Sequence, residues 1–126
     1  MATILYVEDN PENRMLIRRV LQAEGYTVLE AENAAQTLEK VRQQPLDLIL
    51  MDINLPEVDG YTLTSSIKTI PGLRRVPVIA LTANVMRGDR ERSFEAGCDG
   101  YIQKPIDVDK IPLQIKHFLG ETEHGN

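Results

Sequence analysis

Cysteine is nearly missing. Cys98 is the single thiol, so no disulfide can form within the chain. An excess of basic charge is also missing: 14 Lys and Arg stand against 19 Asp and Glu, for a net charge of −5. With a pI near 5.0, the basic patch or stripe of a nucleic-acid binder is not expected. No apolar run approaches the roughly 18 residues that span a bilayer, and mean hydropathy is −0.25. The first residues, Met-Ala-Thr-Ile, carry neither the charged segment nor the apolar stretch of a secretion signal. Internal repeats and low-complexity segments are absent. What is left is 126 residues, 42% of them hydrophobic, which is one domain's worth of sequence with material for one core. These features predict a cytoplasmic domain over residues 1–120 and a polar tail over 121–126.

Strand and helix patterns alternate five times. Residues 4–7 (ILYV) are a short apolar run rich in strand formers, ending abruptly in Glu8-Asp9-Asn10-Pro11. Asn10 suits a helix cap and Pro11 the first helical position, where a missing N–H costs nothing. Leu16, Ile17, Val20 and Leu21 then recur at helical spacing until Gly25. A less apolar strand is predicted at 27–31, and a helix at 34–43 with Ala35, Leu38 and Val41 on its stripe. Residues 46–51 are nearly continuous in Leu and Ile, as in a strand buried on both faces. After a turn-rich loop at 55–60, a helix is predicted at 61–70 and a strand at 76–81. A polar helix at 85–96, a short strand at 100–103 and a helix at 108–119 complete the pattern. Pro112 fits that last helix only in its first turn, so either Asp107 or Asp109 is expected as its cap.

Five such alternations imply an α/β fold with a parallel sheet covered on both faces and right-handed crossovers. The doubly wound order 2-1-3-4-5 is compatible, with the least apolar second strand at an edge. Ligands of such sheets bind beyond the carboxyl ends of the strands, at the switch point between strands one and three. Those ends carry Glu8 and Asp9, Asp52 and Asn54, Thr82 and Ala83, and Lys104. Three gathered carboxylates repel one another unless a hard divalent cation joins them, and Mg²⁺ suits carboxylate oxygens. A carboxylate nucleophile, a metal, an ammonium and a hydroxyl are the parts that phosphoryl transfer requires.

These residues resemble the receiver domain of two-component response regulators. The matching stretches are residues 4–10 (ILYVEDN), 48–60 (LILMDINLPEVDG), 77–83 (PVIALTA), 88–100 (GDRERSFEAGCDG) and 101–105 (YIQKP). They cover essentially the whole chain to about residue 119, and their order and spacing together are specific. Among receivers the chain looks most like stand-alone, chemotaxis-regulator-like proteins of cell-cycle signalling, on its VEDN, LPE and TA…M-basic-GD features. The resemblance implies a flavodoxin-like receiver fold and a Mg²⁺ or Mn²⁺ cofactor. It makes Asp52 the phosphoacceptor and Asp9 a direct metal ligand. Glu8 would act through a bound water, at a position where most receivers have Asp. Asn54 would offer its backbone carbonyl to the metal. Lys104 would pair with phosphoryl oxygens, and its bond to Pro105 would be cis. Thr82 and Tyr101 would form the switch pair, while Asn54, Ala83, Asn84 and Pro105 would tune the site.

The implied function is a signalling phosphoacceptor that catalyses only its own phosphorylation and dephosphorylation. A histidine kinase or histidine phosphotransfer protein would be the donor. The target would dock on the face of helix four, strand five and helix five, with the chain a monomer or weak dimer. The alternatives are a phosphorylation-independent adaptor on the same fold and the receiver portion of a longer hybrid kinase or regulator. A dehalogenase-type phosphatase needs a second acid two residues after its nucleophile, where Asn54 stands. A flavin carrier needs a phosphate loop where Glu8-Asp9-Asn10-Pro11-Glu12 would repel the phosphate. Cys98 reads as a small buried filler. His117 and His124 receive no role. The charges of Arg87, Asp89, Arg90, Glu91, Arg92 and Glu95 read as a solvated helix face.

Overall fold

A computed structural model describes residues 2–83 and 87–120, the side chains of residues 87–90 excepted. Its strands are β1 (Thr3–Val7), β2 (Thr27–Ala31), β3 (Leu48–Asp52), β4 (Val78–Thr82) and β5 (Gly100–Gln103). Its helices are α1 (Pro11–Ala23), α2 (Ala34–Gln43), α3 (Gly60–Lys68), α4 (Arg87–Ala96) and α5 (Ile111–Leu119). All strands pair in parallel, in the expected order β2-β1-β3-β4-β5. Among the described residues no helix is long and apolar enough to cross a membrane.

The period-two alternation of strand side chains divides the core into two layers. Leu5, Val7, Ile49, Met51, Val78 and Ala80 pack with Val41 of α2 and with Tyr61, Leu63 and Ile67 of α3. Ile4, Tyr6, Leu48, Leu50, Ile79, Leu81 and Ile102 pack instead with Ile17 and Leu21 of α1 and Ile111 and Ile115 of α5. The same parity continues past the strand ends. It sends Glu8, Asp52 and Lys104 toward the α1 and α5 side, and Thr82 and Tyr101 toward the other.

Several local expectations need correction. Strand β3 begins at Leu48, not at 46; just ahead of it Asp47 is tied to the start of β1, its N–H on the Thr3 carbonyl and its Oδ2 accepting the Thr3 N–H. Strand β4 begins at Val78, since Pro77 has no N–H and Val76 donates to Leu73. Helix α3 covers Gly60–Lys68, its first turn capped by the Asp59 carboxylate on the Tyr61 N–H at 3.0 Å. Helix α5 begins at Ile111, with Lys110 at the cap position and no side-chain cap bond. Asp107 instead closes a turn ahead of it, accepting the Asp109 N–H on Oδ1 and the Lys110 and Ile111 N–H groups on its carbonyl. Leu16 is 49% exposed, off the Ile17–Leu21 stripe of α1. Ala35 is also exposed, and Thr37 takes its place in the buried face of α2. The expected first residues of the fourth helix, Val85 and Met86, lie outside the described residues, as does the tail from residue 121.

Candidate functional site

Each rim residue is placed by a local device. Asn10 caps α1, its side chain accepting the Glu12 and Asn13 N–H groups at 2.9 and 3.0 Å, and Pro11 takes the first turn. This fixes the short loop holding Glu8 and Asp9. Arg14 braces the same loop from α1, donating to the Glu8 and Asp9 carbonyls at 2.8 and 3.1 Å. Its guanidinium is paired in turn with Glu30 and Glu32 near the end of β2. Gly60 lets α3 start against the end of β3. A Cβ there would lie 2.6 Å from the Asp52 carbonyl oxygen and 2.7 Å from Ile53 Cα, both backbone atoms.

Asp52 is buried, and its Oδ1 is held from two directions. Lys104 Nζ donates to it at 2.7 Å and the Asn54 N–H at 3.0 Å. Lys104 is carried there by its own N–H, bonded to the Thr82 carbonyl at 2.8 Å. The Lys104–Pro105 peptide is cis, as the resemblance implied. Carboxylate oxygens of Glu8, Asp9 and Asp52 lie within 4.8 Å of one another. Glu8 and Asp52 are both 2% exposed, whereas Asp9 faces solvent.

Burial is the main reason the Glu8 carboxyl is pushed up to about 7, with the Asp52 charge and a hydrogen bond to Asp52 acting the same way. The Asn10 N–H and the Lys104 charge oppose the rise. A buried carboxyl held above its ordinary range beside a second acid is a site that gains by giving up its proton to bind a metal. The donor set of three carboxylates suits a hard divalent cation.

Two open depressions flank this rim. One, of about 410 Å³, is lined by Asn54, Asp59, Tyr61, Thr82 and Arg92. There Arg92 pairs with Asp59 at 2.9 Å and lies 4.8 Å over the Tyr61 ring. The other, of about 400 Å³, is lined by Tyr6, Glu8, Asn13, Leu16, Ala83 and Lys104, with Pro105 and Ile106. Thr82 is buried at the first depression and Ala83 is exposed at the second. Tyr101 is half-buried and packs against the same core layer as Tyr61.

The structure thus gathers Glu8, Asp9, Asp52, Asn54, Thr82, Ala83, Lys104 and Pro105 at one rim, while Tyr101 pairs with Ala80 in the sheet, two residues before Thr82 and on the same face. Asn84 lies outside the described residues. Cys98 is buried, as expected of a filler. Sequence reasoning missed Tyr6, Arg14 and the Arg92–Asp59–Tyr61 group. A signal for Tyr6 was present: it stands two residues before Glu8 in a strand, hence on the same face.

Comparison with known proteins agrees with this geometry. The response regulator receiver domain family matches residues 4–116. The chain belongs to that family. It is 44% identical over 120 residues to the polar-differentiation response regulator DivK of Brucella anthropi, covering 95% of this chain and 98% of that one. DivK of Brucella ovis is 43% identical over the same length. The receiver domain of a Pseudomonas aeruginosa sensor histidine kinase, solved with magnesium in its active-site cleft, is 39% identical. It superposes with a TM-score of 0.85 over 94% of this chain and 98% of that one. The chemotaxis protein CheY4 of Vibrio cholerae, at 23% identity and TM-score 0.90 over 94% and 98% of the two chains, shares the fold. The fold and the family are those the motifs implied, down to the likeness to stand-alone cell-cycle regulators.

Proposed function

We propose that the chain is a two-component phosphoacceptor that takes a phosphoryl group from a phosphohistidine onto Asp52 and signals through a switched protein-binding surface. The observation that carries this reading is the Lys104–Asp52 contact set inside the Glu8–Asp9–Asp52 acid group. Asp9 and Asp52 would hold Mg²⁺ or Mn²⁺ with the Asn54 carbonyl, Glu8 acting through water. When bound, the ion supplies positive charge that offsets the equatorial phosphoryl oxygens.

The chain's own residues do the rest. Lys104 and the Asn54 N–H fix the Asp52 carboxylate for in-line approach. A carboxylate oxygen forms the new O–P bond while the P–N bond to the donor imidazole breaks, its electron pair returning to that ring. In hydrolysis, water attacks phosphorus, the Asp52 carboxylate departs and the water proton leaves with phosphate. Lys104 stabilises the phosphoryl oxygens in both steps. Catalysis is confined to these two steps, so the chain acts as a signalling protein.

Phosphorylation adds a charge of about −1.5 to −2 beside Thr82. Thr82 turns toward it, and Tyr101 follows on the same side of the sheet. The surface of α4, β5 and α5 then changes its affinity for a protein target. Phe94 and Leu113, 59% and 69% exposed, stand on two of these elements. The donor is a histidine kinase or phosphotransfer protein, and a cytoplasmic location goes with it. Asn54, Ala83 and Asn84 tune the phosphate lifetime.

The test is intact mass after incubation with acetyl phosphate, with and without Mg²⁺, beside Asp52→Asn. One added phosphoryl group is expected only with metal and only in the native chain. No gain under any condition would instead favour a phosphorylation-independent adaptor.

A further inference from the structure

The second depression holds a feature outside that inventory. Tyr6 is fully buried, yet its hydroxyl reaches the rim and donates to Glu8 Oε1 at 3.2 Å. The Asn10 N–H donates to the other oxygen, Oε2, also at 3.2 Å. Glu8's backbone is fixed as well, its N–H on the Ala31 carbonyl and its carbonyl under Arg14. Each carboxylate oxygen has two lone pairs. One donor on each therefore sets the plane of the group and leaves a lone pair on each oxygen.

Glutamate has one more rotatable bond than aspartate, and its carboxylate is correspondingly harder to hold in one place. Tyr6 and Glu8 are two apart in extended backbone at the end of β1, so both side chains leave the same face, and a tyrosine is long enough to reach the neighbouring carboxylate. Burial and the neighbouring Glu8 charge push the Tyr6 phenol upward, so it stays a donor.

Resting on the metal-site reading above, we propose that Tyr6 is a positioning residue for metal binding, its hydroxyl orienting the Glu8 carboxylate toward the cation's water shell. Groups that orient metal-binding side chains typically matter by about 10–100-fold in metal affinity. The Tyr6 bond is long for O–H···O, and Glu8 acts through water, so roughly three- to tenfold is expected.

The test is Mn²⁺ affinity, read from the electron paramagnetic resonance signal of free Mn²⁺. It is measured on the native chain, Tyr6→Phe, Glu8→Gln and the double variant. Tyr6→Phe is expected to weaken binding by about three- to tenfold and, in the Glu8→Gln background, by less than twofold. Equal affinities of native and Tyr6→Phe overturn the proposal. So does an equal loss in both backgrounds, which would show that the ring acts through packing. A lowered melting temperature with unchanged affinity also overturns it. Failure of the native chain to bind Mn²⁺ overturns the metal-site reading itself, and this inference with it. If Tyr6→Phe does not fold, the native chain decides by NMR. A slowly exchanging Tyr6 hydroxyl proton in contact with the Glu8 side chain supports the proposal, and its absence overturns it.

Discussion

A buried acid held up to about 7 ties the stability of the metal-free domain to pH in a direction opposite to that of most carboxylates. In the unfolded chain Glu8 releases its proton near 4.5, and in the folded chain near 7. Between these values the folded state binds more protons than the unfolded state, so stability falls as pH rises. Glu8 contributes its full share below pH 4.5 and has lost it above about 7. The interval corresponds to an upper bound of about 3 kcal/mol at 1.36 kcal/mol per pH unit. The nearby exposed Asp9 marks a wet rim, and screening there reduces the expected change to about 1–2 kcal/mol. The perturbation is a pH series from 5 to 8 in chelator, with urea unfolding of the native chain and of Glu8→Gln at each step. The variant removes the titration, so the stability difference, native minus Glu8→Gln, isolates it. That difference is expected to drop by about 1–2 kcal/mol across the series. Saturating Mg²⁺ should flatten or reverse the drop, because the metal-bound form already requires the ionised acid. A difference that stays level or rises with pH in chelator would refute the reasoning.

Three further outcomes are expected. Gly60→Ala should destabilise by about 1–3 kcal/mol in urea unfolding, although helix propensity alone predicts a gain of about 1; only backbone of Asp52 and Ile53 lies within 2.7 Å of the new methyl. Stability equal to or above native would show that the end of β3 yields freely. Lys104→Met should bind Mn²⁺ several-fold more tightly, because the competing ammonium 2.7 Å from Asp52 is gone, yet phosphorylate more slowly in acetyl phosphate; weaker metal binding would show that Lys104 acts by shaping the site instead. Asn10→Ala should cost about 1 kcal/mol through loss of the two cap bonds, and an unchanged urea midpoint would count against that role.

The sequence by itself carried the architecture. Alternating apolar runs and amphipathic stretches require strands and helices in turn, and β3, apolar up to its final Asp52, is found buried on both faces as its composition demands. It also carried the identity of the rim, because Asp52 and Thr82 end their strands, Glu8, Asp9 and Lys104 follow theirs, and parallel strands bring their carboxyl ends together. Element ends were less legible. Asp107 was a sound cap by type, but Pro112 and the turn at Asp107 move the start of α5 to Ile111. Leu16 belongs to the helical pattern yet lies off the stripe that the sheet covers, since which flank of a helix is buried depends on the packing angle.

Only the tertiary structure decided which carboxylates lose their water. Glu8 and Asp9 are neighbours in sequence and equal in charge, but strand parity turns one under Tyr6 against Asp52 and leaves the other in solvent. Desolvation depends on atoms brought from β1, β3 and the residues after β5, tens of positions apart. For that reason the raised Glu8 carboxyl, the Tyr6 hydrogen bond and the Lys104 contact exist only in the folded chain.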